Sequence, residues 1–128
     1  MNRWSQKGSS HERPVVRAMS ARDRADVRFR AAVYERWGRA CVRCGVPASE
    51  VAHVMSRRFA RTRCDVANAR PLCNTDHALQ HAARWHWDEL IGREEYRRLY
   101  DLASDPAWKI PHDHWQNMPI DSSAEQVA

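Results

Sequence analysis

The spacing of apolar positions predicts a helix in the first third of the chain. Phe29, Val33 and Trp37 recur at every fourth residue, which places them on one face of a helix. Gly38 follows, and glycine is the residue most often found just beyond a helix C-terminus. The pattern therefore predicts a helix that ends before Gly38, and residues 14–24 either extend it toward the N-terminus or form a short helix of their own.

Two short segments in the middle of the chain predict β-strands. Residues 50–55 read EVAHVM and residues 69–73 read ARPLC, and both are largely apolar and too short for a typical helix. Pro71 has no N–H group, so it must lie where the sheet needs no donor. The arginine-rich stretch between the two segments has no regular period and is interpreted as a loop.

Helical spacing returns in the second half of the chain. Residues 74–92 predict one continuous helix, with Asn74 or Thr75 as its N-cap. Residues 93–103 predict a further amphipathic helix. The expected apolar side of that helix consists of Tyr96, Leu99, Tyr100 and Leu102.

Length and composition fit one small domain. The chain has 128 residues, of which 43% are hydrophobic and 29% charged. A small domain with so few hydrophobic residues often needs additional stabilisation, for example from a bound metal ion. Residues 14–104 are interpreted as the folded domain. A flexible basic arm is expected at residues 1–13, and an irregular tail with a disordered end at residues 105–128.

The distribution of charge predicts a polyanionic partner. The chain carries nineteen arginines, two lysines and a net charge of +5. Residues 14–63 hold twelve of the arginines and only four acidic residues, and arginine grips phosphate in two places at once. This distribution favours nucleic acid as the partner. A merely solvated surface, or a biased base composition of the coding DNA, is the alternative.

Apolar segments and cysteine usage bear on the compartment. No run of about 18 apolar residues marks a membrane span, and the N-terminal residues lack the apolar core of a signal peptide. The chain is therefore expected to be intracellular, where thiols stay reduced. Four cysteines in such a compartment indicate metal binding or catalysis before disulfides.

The cysteines have a spacing typical of zinc sites. Cys41 and Cys44 form a C-x2-C knuckle, and Cys73 and Asp76 repeat its spacing after 28 intervening residues. Two such half-sites offer four ligands to a tetrahedral zinc ion, which accepts a carboxylate oxygen as well as thiolates. Cys64 and a bridging water are alternative fourth ligands. Ordinary buried cysteines or a thioredoxin-type redox pair would also explain the C-x2-C spacing.

Three histidines and an asparagine accompany these cysteines. His77 and His81 are four residues apart on a predicted helix, so both imidazoles share one face and can meet one metal ion. His53 lies within the first predicted strand, and Asn68 lies between. Taken alone, His53 is as readily a buried packing residue as a functional one, but its companions favour a functional role.

Together these motifs resemble the HNH endonucleases, also known as ββα-metal or His-Me finger nucleases. The resemblance covers about residues 33–85 and rests on VYERWGRACVRCG, VAHV and DVANARPLCNTDHALQH. It implies a small α+β fold, a ββα-metal finger with a zinc knuckle, flanked by N- and C-terminal helices.

The resemblance implies a role for each matching residue. His53 matches the general base that deprotonates the attacking water, and Asn68 matches the asparagine that orients the base or holds the turn. His77 and His81 match ligands of a catalytic divalent cation such as Mg²⁺ or Mn²⁺. The structural zinc site matches Cys41, Cys44 and Cys73, with Asp76 in the fourth position.

The implied activity is metal-dependent hydrolysis of phosphodiester bonds in double-stranded DNA, by nicking or cutting. The arginines between His53 and Asn68 are expected to contact DNA phosphates, with a solvated loop as the alternative. They are Arg57, Arg58, Arg61 and Arg63. The resemblance also implies the cytoplasm of a bacterial or phage-infected cell, with no membrane partner.

Two positions depart from the family pattern. Many members place a histidine or aspartate just before the general base, where this chain has Ala52, and a cysteine or histidine is commoner than Asp76. The departures indicate either a variant subgroup or a decayed active site. A zinc-stapled DNA-binding module without catalysis, and a scaffold that uses the knuckle only for folding, are therefore competing hypotheses.

Overall fold

The computed structural model describes residues 18–124, so the predicted arm at residues 1–13 and the last four residues lie outside the described residues. Within that range the chain forms five α-helices and one two-stranded antiparallel sheet, a small α+β fold. The elements are α1 (Ala21–Trp37), β1 (Glu50–His53), α2 (Ala60–Arg63), β2 (Ala69–Leu72), α3 (Asn74–His81), α4 (Trp87–Ile91) and α5 (Arg93–Ser104). No helix from residue 18 to residue 124 has both the length and the apolar character needed to cross a membrane.

Helix α1 confirms the first helical prediction. It begins at Ala21, so residues 21–24 extend it toward the N-terminus. Ser20 is its N-cap, and the Ser20 hydroxyl accepts a hydrogen bond of 3.1 Å from the backbone N–H of Asp23. Gly38 ends the helix with a φ of 88°, a conformation that glycine adopts without strain. The face that repeats every fourth residue is buried, including Phe29 and Val33.

The two predicted strands pair as β1 and β2, with Val51 opposite Pro71 and His53 opposite Ala69. β1 ends at His53, two residues earlier than predicted. The prediction of a simple loop between the strands is wrong, because this stretch contains α2 and a 3-10 turn at Val66–Asn68. Hydrogen bonds with non-local partners, which have no sequence period, order this stretch.

The continuous helix predicted over residues 74–92 is wrong. α3 ends at His81, the chain passes through Ala83 with a φ of 59°, and α4 begins at Trp87. The Trp85 indole N–H donates to the Asp76 carbonyl oxygen over 2.9 Å, which holds the chain back against α3. Burial of the Trp85 indole thus stabilises the fold more than continuation of helix α3 would.

The predicted N-cap of α3 is also wrong, since neither Asn74 nor Thr75 caps it. The cap is Cys73, whose sulfur accepts the Asp76 N–H over 3.4 Å. Helix α5 forms as predicted with Leu99 fully buried, but Tyr100 is 52% exposed and does not belong to the apolar side.

The segment after α5 is irregular apart from a 3-10 turn at His114–Asn117, yet it packs onto the domain. The Arg28 guanidinium on α1 donates to the Met118 carbonyl oxygen, and Ile120 forms a β-bridge with Asp65. In the middle of the fold, α1 packs against β2 and α3 packs against β1. The β1–β2 pair, referred to below as the hairpin, is therefore in contact with both helices.

Candidate functional site

The first site is a cluster of sulfur and carboxylate ligands. Among the residues that the structure describes, one group of three or more His, Cys, Asp or Glu side chains has all its ligand atoms within 4.8 Å of one another. Its members are Cys41, Cys44, Cys73 and Asp76. They are close enough to hold a metal ion, and three sulfurs with one oxygen are compatible with zinc.

The distances within this thiolate cluster fit one tetrahedral ion. Sulfur bonds of about 2.3 Å and an oxygen bond of about 2.1 Å give sulfur–sulfur edges of about 3.8 Å and sulfur–oxygen edges of about 3.6 Å. The sulfurs of Cys44 and Cys73 are 3.7 Å apart. Oδ2 of Asp76 lies 3.2 Å from the sulfur of Cys41 and 3.4 Å from that of Cys73.

Local backbone geometry favours the charged form of the buried cysteine. Burial alone would raise the pKa of Cys41, but backbone N–H groups of Cys73, Cys44 and Arg43 lower it below its ordinary value. Hydrogen bonding from the Cys44 thiol, ahead of smaller contributions, lowers the pKa of Asp76 to about 2. The three thiols and the Asp76 carboxyl group lie close together, and a divalent cation bound between them would stabilise their charged forms.

The second oxygen of Asp76 faces away from the sulfurs. Arg43 donates to Oδ1 of Asp76 over 2.7 Å, which leaves Oδ2 on the cluster side. Cys64, the alternative fourth ligand, lies elsewhere: it packs with Phe29 and Val33, and its thiol is 3.5 Å from the Asp26 carboxylate. Burial raises the pKa of Cys64 to about 12, as expected for an inert thiol.

The second site is a cavity of about 670 Å³ beside the hairpin. His53 from β1 and both His77 and His81 from α3 line it. The structure therefore brings together the three histidines that the sequence singles out. Its other lining residues include Asp26, Phe29 and Arg30 from α1, Glu50 and Val51 from β1, and Ser56, Arg57 and Gln80.

The α3 histidines are arranged as a pair. Nε2 of His81 lies 3.1 Å from Nε2 of His77, and Nδ1 of His77 lies 3.0 Å from Oε2 of Glu50. Two nitrogens bound about 2.1 Å from one ion lie about 3.0–3.4 Å apart, depending on the geometry. The pair therefore fits one cation, and Glu50 holds His77 by its other nitrogen, as carboxylates do at metal sites.

His53 is held as a neutral imidazole. Its Nε2 lies 2.9 Å from the carbonyl oxygen of Arg63, and its ring stacks on Phe29 with centroids 5.1 Å apart. A carbonyl oxygen can only accept, so Nε2 carries the hydrogen and Nδ1 keeps a lone pair. Burial lowers the pKa of His53 to about 4, against the opposing effect of that hydrogen bond.

Asn68 holds a turn and is not among the residues that line the cavity. It is fully buried, and its Oδ1 accepts from the Met55 N–H over 2.8 Å. Its Nδ2 donates to the carbonyl oxygens of Met55 and Thr62 over 3.1 Å and 3.0 Å. Asn68 thus ties the end of β1 to α2, and we class it as a positioning residue.

The four arginines predicted to contact DNA differ in how far other residues of the protein engage their guanidinium groups. Arg63 makes a two-point ion pair with Asp26, with a shortest distance of 2.8 Å, and only 12% of its side chain is exposed. Arg61 pairs with Asp105 over 3.2 Å. Arg57 lines the cavity, and Arg58 lies over the Phe59 ring. Of the four, Arg57 is therefore the one placed beside the histidines.

Ala52, where many HNH proteins have a metal ligand, faces the core. It is 1% exposed and packs with Cys41, Leu72, Trp85 and Trp87. The position before His53 thus contributes no ligand to the cavity.

No protein-family model, curated protein or solved structure matches the chain. Its function is therefore inferred from the chemistry of the two sites. The thiolate cluster can hold a metal ion, and the cavity presents a neutral imidazole beside a pair of histidines.

Sequence reasoning missed three residues of the cavity that contact the predicted ones. Glu50 stands three residues before His53, and Asp26 and Phe29 occupy one face of α1. The helical period could have grouped Asp26 with Phe29. It could not have shown that this face meets β1, because the contact joins segments more than twenty residues apart.

Proposed function

We propose that this chain is a metal-dependent endonuclease that hydrolyses phosphodiester bonds in DNA. The single observation that carries the proposal is the convergence of His53, His77 and His81 on one cavity. These residues come from separate elements, and the resemblance to HNH nucleases gives them the roles of general base and cation ligands. We further infer that β1, β2 and α3 form a ββα-metal finger, with the thiolate cluster as its zinc knuckle.

In the proposed reaction, His53 takes the proton from the attacking water. Nδ1 is the accepting atom, because the hydrogen on Nε2 is engaged by the Arg63 carbonyl. A pKa of about 4 keeps the ring neutral at physiological pH, so it is ready to accept. The negative charge of a bound phosphodiester favours the protonated ring and raises its pKa toward the pH of the reaction.

His77 and His81 would hold the catalytic cation, with Glu50 orienting His77. A cation bound there supplies positive charge to the phosphate and to the leaving oxygen. Imidazole ligands suit transition-metal ions better than Mg²⁺, which prefers oxygen ligands and retained waters. We therefore expect Mn²⁺, Co²⁺ or Ni²⁺ to support more cleavage than Mg²⁺.

Arginines around the cavity would bind flanking phosphates. Arg30 from α1 and Arg57 from the stretch after β1 both line the cavity and are exposed. Phosphate contacts position a protein on DNA without reading its sequence. This surface therefore supports DNA binding but gives no information on target sequence.

Cleavage of supercoiled plasmid across a panel of divalent cations tests the proposal. His53→Ala should lower the rate about 10²–10⁴-fold while circular dichroism and zinc content stay unchanged. His112→Ala, which removes an exposed histidine, is the matched control and should cut like the wild type. Wild-type cleavage by His53→Ala would refute the base assignment.

A second candidate is a zinc-stapled DNA-binding module without catalysis. Burial of Ala52 favours it, since the cavity then offers two imidazoles and fewer ligands than a complete site. This candidate predicts salt-sensitive DNA binding and no cleavage with any cation in the panel. Arg57→Ala should then lower the slope of log affinity against log salt by about one phosphate contact.

A further inference from the structure

A chain of contacts links α1 to the ring of His53. The Asp26 carboxylate accepts from Nε and Nη2 of Arg63 over 3.1 Å and 2.8 Å, and the Arg63 carbonyl oxygen lies 2.9 Å from Nε2 of His53. We propose that Asp26 is a positioning residue, which fixes the His53 ring by anchoring Arg63. The proposal rests on the proposed function for its kinetic consequences but not for the contacts themselves.

The carbonyl of Arg63 is available because α2 is very short. Arg63 is the last of its four residues, and the final carbonyls of a helix have no partner within the helix. The His53 N–H therefore satisfies an acceptor that α2 leaves free. The direction of that carbonyl depends on how the end of α2 is held.

Asp26 holds the end of α2 at two consecutive residues. It forms a two-point pair with the Arg63 guanidinium, which permits one relative orientation, and it accepts from the Cys64 thiol over 3.5 Å. The Arg63 side chain is only 12% exposed and that of Asp26 30%, so solvent competes weakly. Hydrogen bonding from Arg63 lowers the pKa of Asp26, which keeps the carboxylate charged.

Phe29 supplies a second contact from the same helix. It lies three residues after Asp26, on the same side of α1, and stacks on the His53 ring with an interplanar angle of 29°. Phe29 thus restrains the ring plane, while the Asp26–Arg63 pair restrains its Nε2 edge. Under the proposed function, helix α1 therefore supports the general base through Asp26 and Phe29.

This arrangement has a spectroscopic signature that is independent of cleavage. In the zinc-loaded full chain, ¹⁵N NMR should show His53 as the tautomer with hydrogen on Nε2. Asp26→Asn weakens the anchor and should produce a mixture of the two tautomers. An Nδ1–H tautomer in the wild type would overturn the proposal, and this measurement needs no variant to fold.

The kinetic test is a double-mutant cycle with His53→Ala. Asp26→Asn should lower kcat about 10–100-fold with KM for plasmid changed less than about twofold. In the His53→Ala background it should cause no further loss, because it acts through that ring. Equal losses in both backgrounds, or an unchanged kcat together with an unchanged tautomer, would overturn the proposal.

Two further variants complete the design. Arg63→Lys keeps the charge but not the two-point fork, so it should change the tautomer in the same direction as Asp26→Asn. Asp101→Asn is the control, since it removes an exposed pair with Arg97 far along α5 and should change neither readout. If the wild type cuts no plasmid, the proposed function fails, while the tautomer measurement still decides the positioning contact.

Discussion

Two neighbouring residues of α3 belong to two different sites. Asp76 is 4% exposed and joins the thiolate cluster, whereas the side chain of His77, the next residue, is 21% exposed and lines the cavity. Successive residues of a helix point about 100° apart, so one turn of α3 serves both sites. The distance between the sites is thereby fixed by a single helix.

The two sites differ in the number of ligands that the chain supplies to each. The thiolate cluster offers four ligands, enough to enclose a tetrahedral ion, as structural zinc sites do. The histidine cavity offers a pair of imidazoles and leaves other directions to water or a phosphate, as catalytic sites do. Under the proposed function, the closed site has a folding role and the open site has a chemical role.

The largest expected effect is loss of folding when the thiolate cluster is broken. Cys41→Ser should release zinc and abolish the cooperative melt, because a structural zinc site contributes about 10–16 kcal/mol, more than a small domain's whole stability. Circular dichroism and elemental analysis give the readout. Cys64→Ala is the matched control: it removes a buried cysteine outside the cluster and should retain one equivalent of zinc. Unchanged melting after strong chelation would contradict a structural role for the metal.

The next effect concerns the turn that Asn68 holds. Asn68→Ala should lower the free energy of unfolding by about 2–4 kcal/mol, because it leaves the N–H and the carbonyl oxygen of buried Met55 without a partner. It also removes a hydrogen bond to the Thr62 carbonyl oxygen, which still accepts from the Asp65 N–H. Denaturant titration measures the change. Asn117→Ala, which removes an exposed side-chain hydrogen bond, should change stability by no more than about 0.5 kcal/mol. Equal effects of the two variants would show that Asn68 does not hold the turn.

A smaller effect separates the thiolate cluster from the cation site that we propose in the cavity. Glu50→Gln removes the carboxylate that holds His77 and should weaken Mn²⁺ binding at the cavity about 10–100-fold. Zinc content should stay the same, because Glu50 lies outside the thiolate cluster. Calorimetric titration of the zinc-loaded protein with Mn²⁺ measures the affinity, and elemental analysis measures the zinc content. Glu94→Gln, on the exposed face of α5, is the control, and loss of zinc in Glu50→Gln would show that the sites are not independent.

What the sequence predicts well is what local spacing encodes. The α1 face follows from a four-residue period, the two strands from short apolar segments, and the pairing of Cys41 with Cys44 from the C-x2-C spacing. The choice of Asp76 over Cys64 as the fourth ligand also follows the repeated C-x2 spacing. In each case the chemistry lies within one element or one turn.

What the sequence does not predict depends on contacts between distant segments. The break after His81 is set by the Trp85 indole, which bonds back to the Asp76 carbonyl. The pairing of Arg63 with Asp26 joins α2 to α1, so an arginine predicted to meet DNA is engaged within the protein. Such contacts depend on the three-dimensional arrangement, and no residue period indicates them.

The smallest expected effect is a pH dependence specific to His53. Burial holds the folded-state pKa at about 4, below the unfolded value of about 6.5. Stability from this group is therefore fully present above the unfolded pKa and is lost as pH falls, because the unfolded chain takes up a proton that the buried ring does not. Between about pH 7.5 and about pH 5.5 the loss should be about 1 kcal/mol. His53→Gln keeps an N–H donor for the Arg63 carbonyl but does not titrate, so it should lack this part of the slope.

Zinc ligands titrate in both proteins, so the difference between the two denaturant-titration curves isolates His53. Parallel curves would mean that the surroundings of His53 do not keep its ring neutral in the folded protein, and that the ring accepts a proton as readily as an exposed imidazole does.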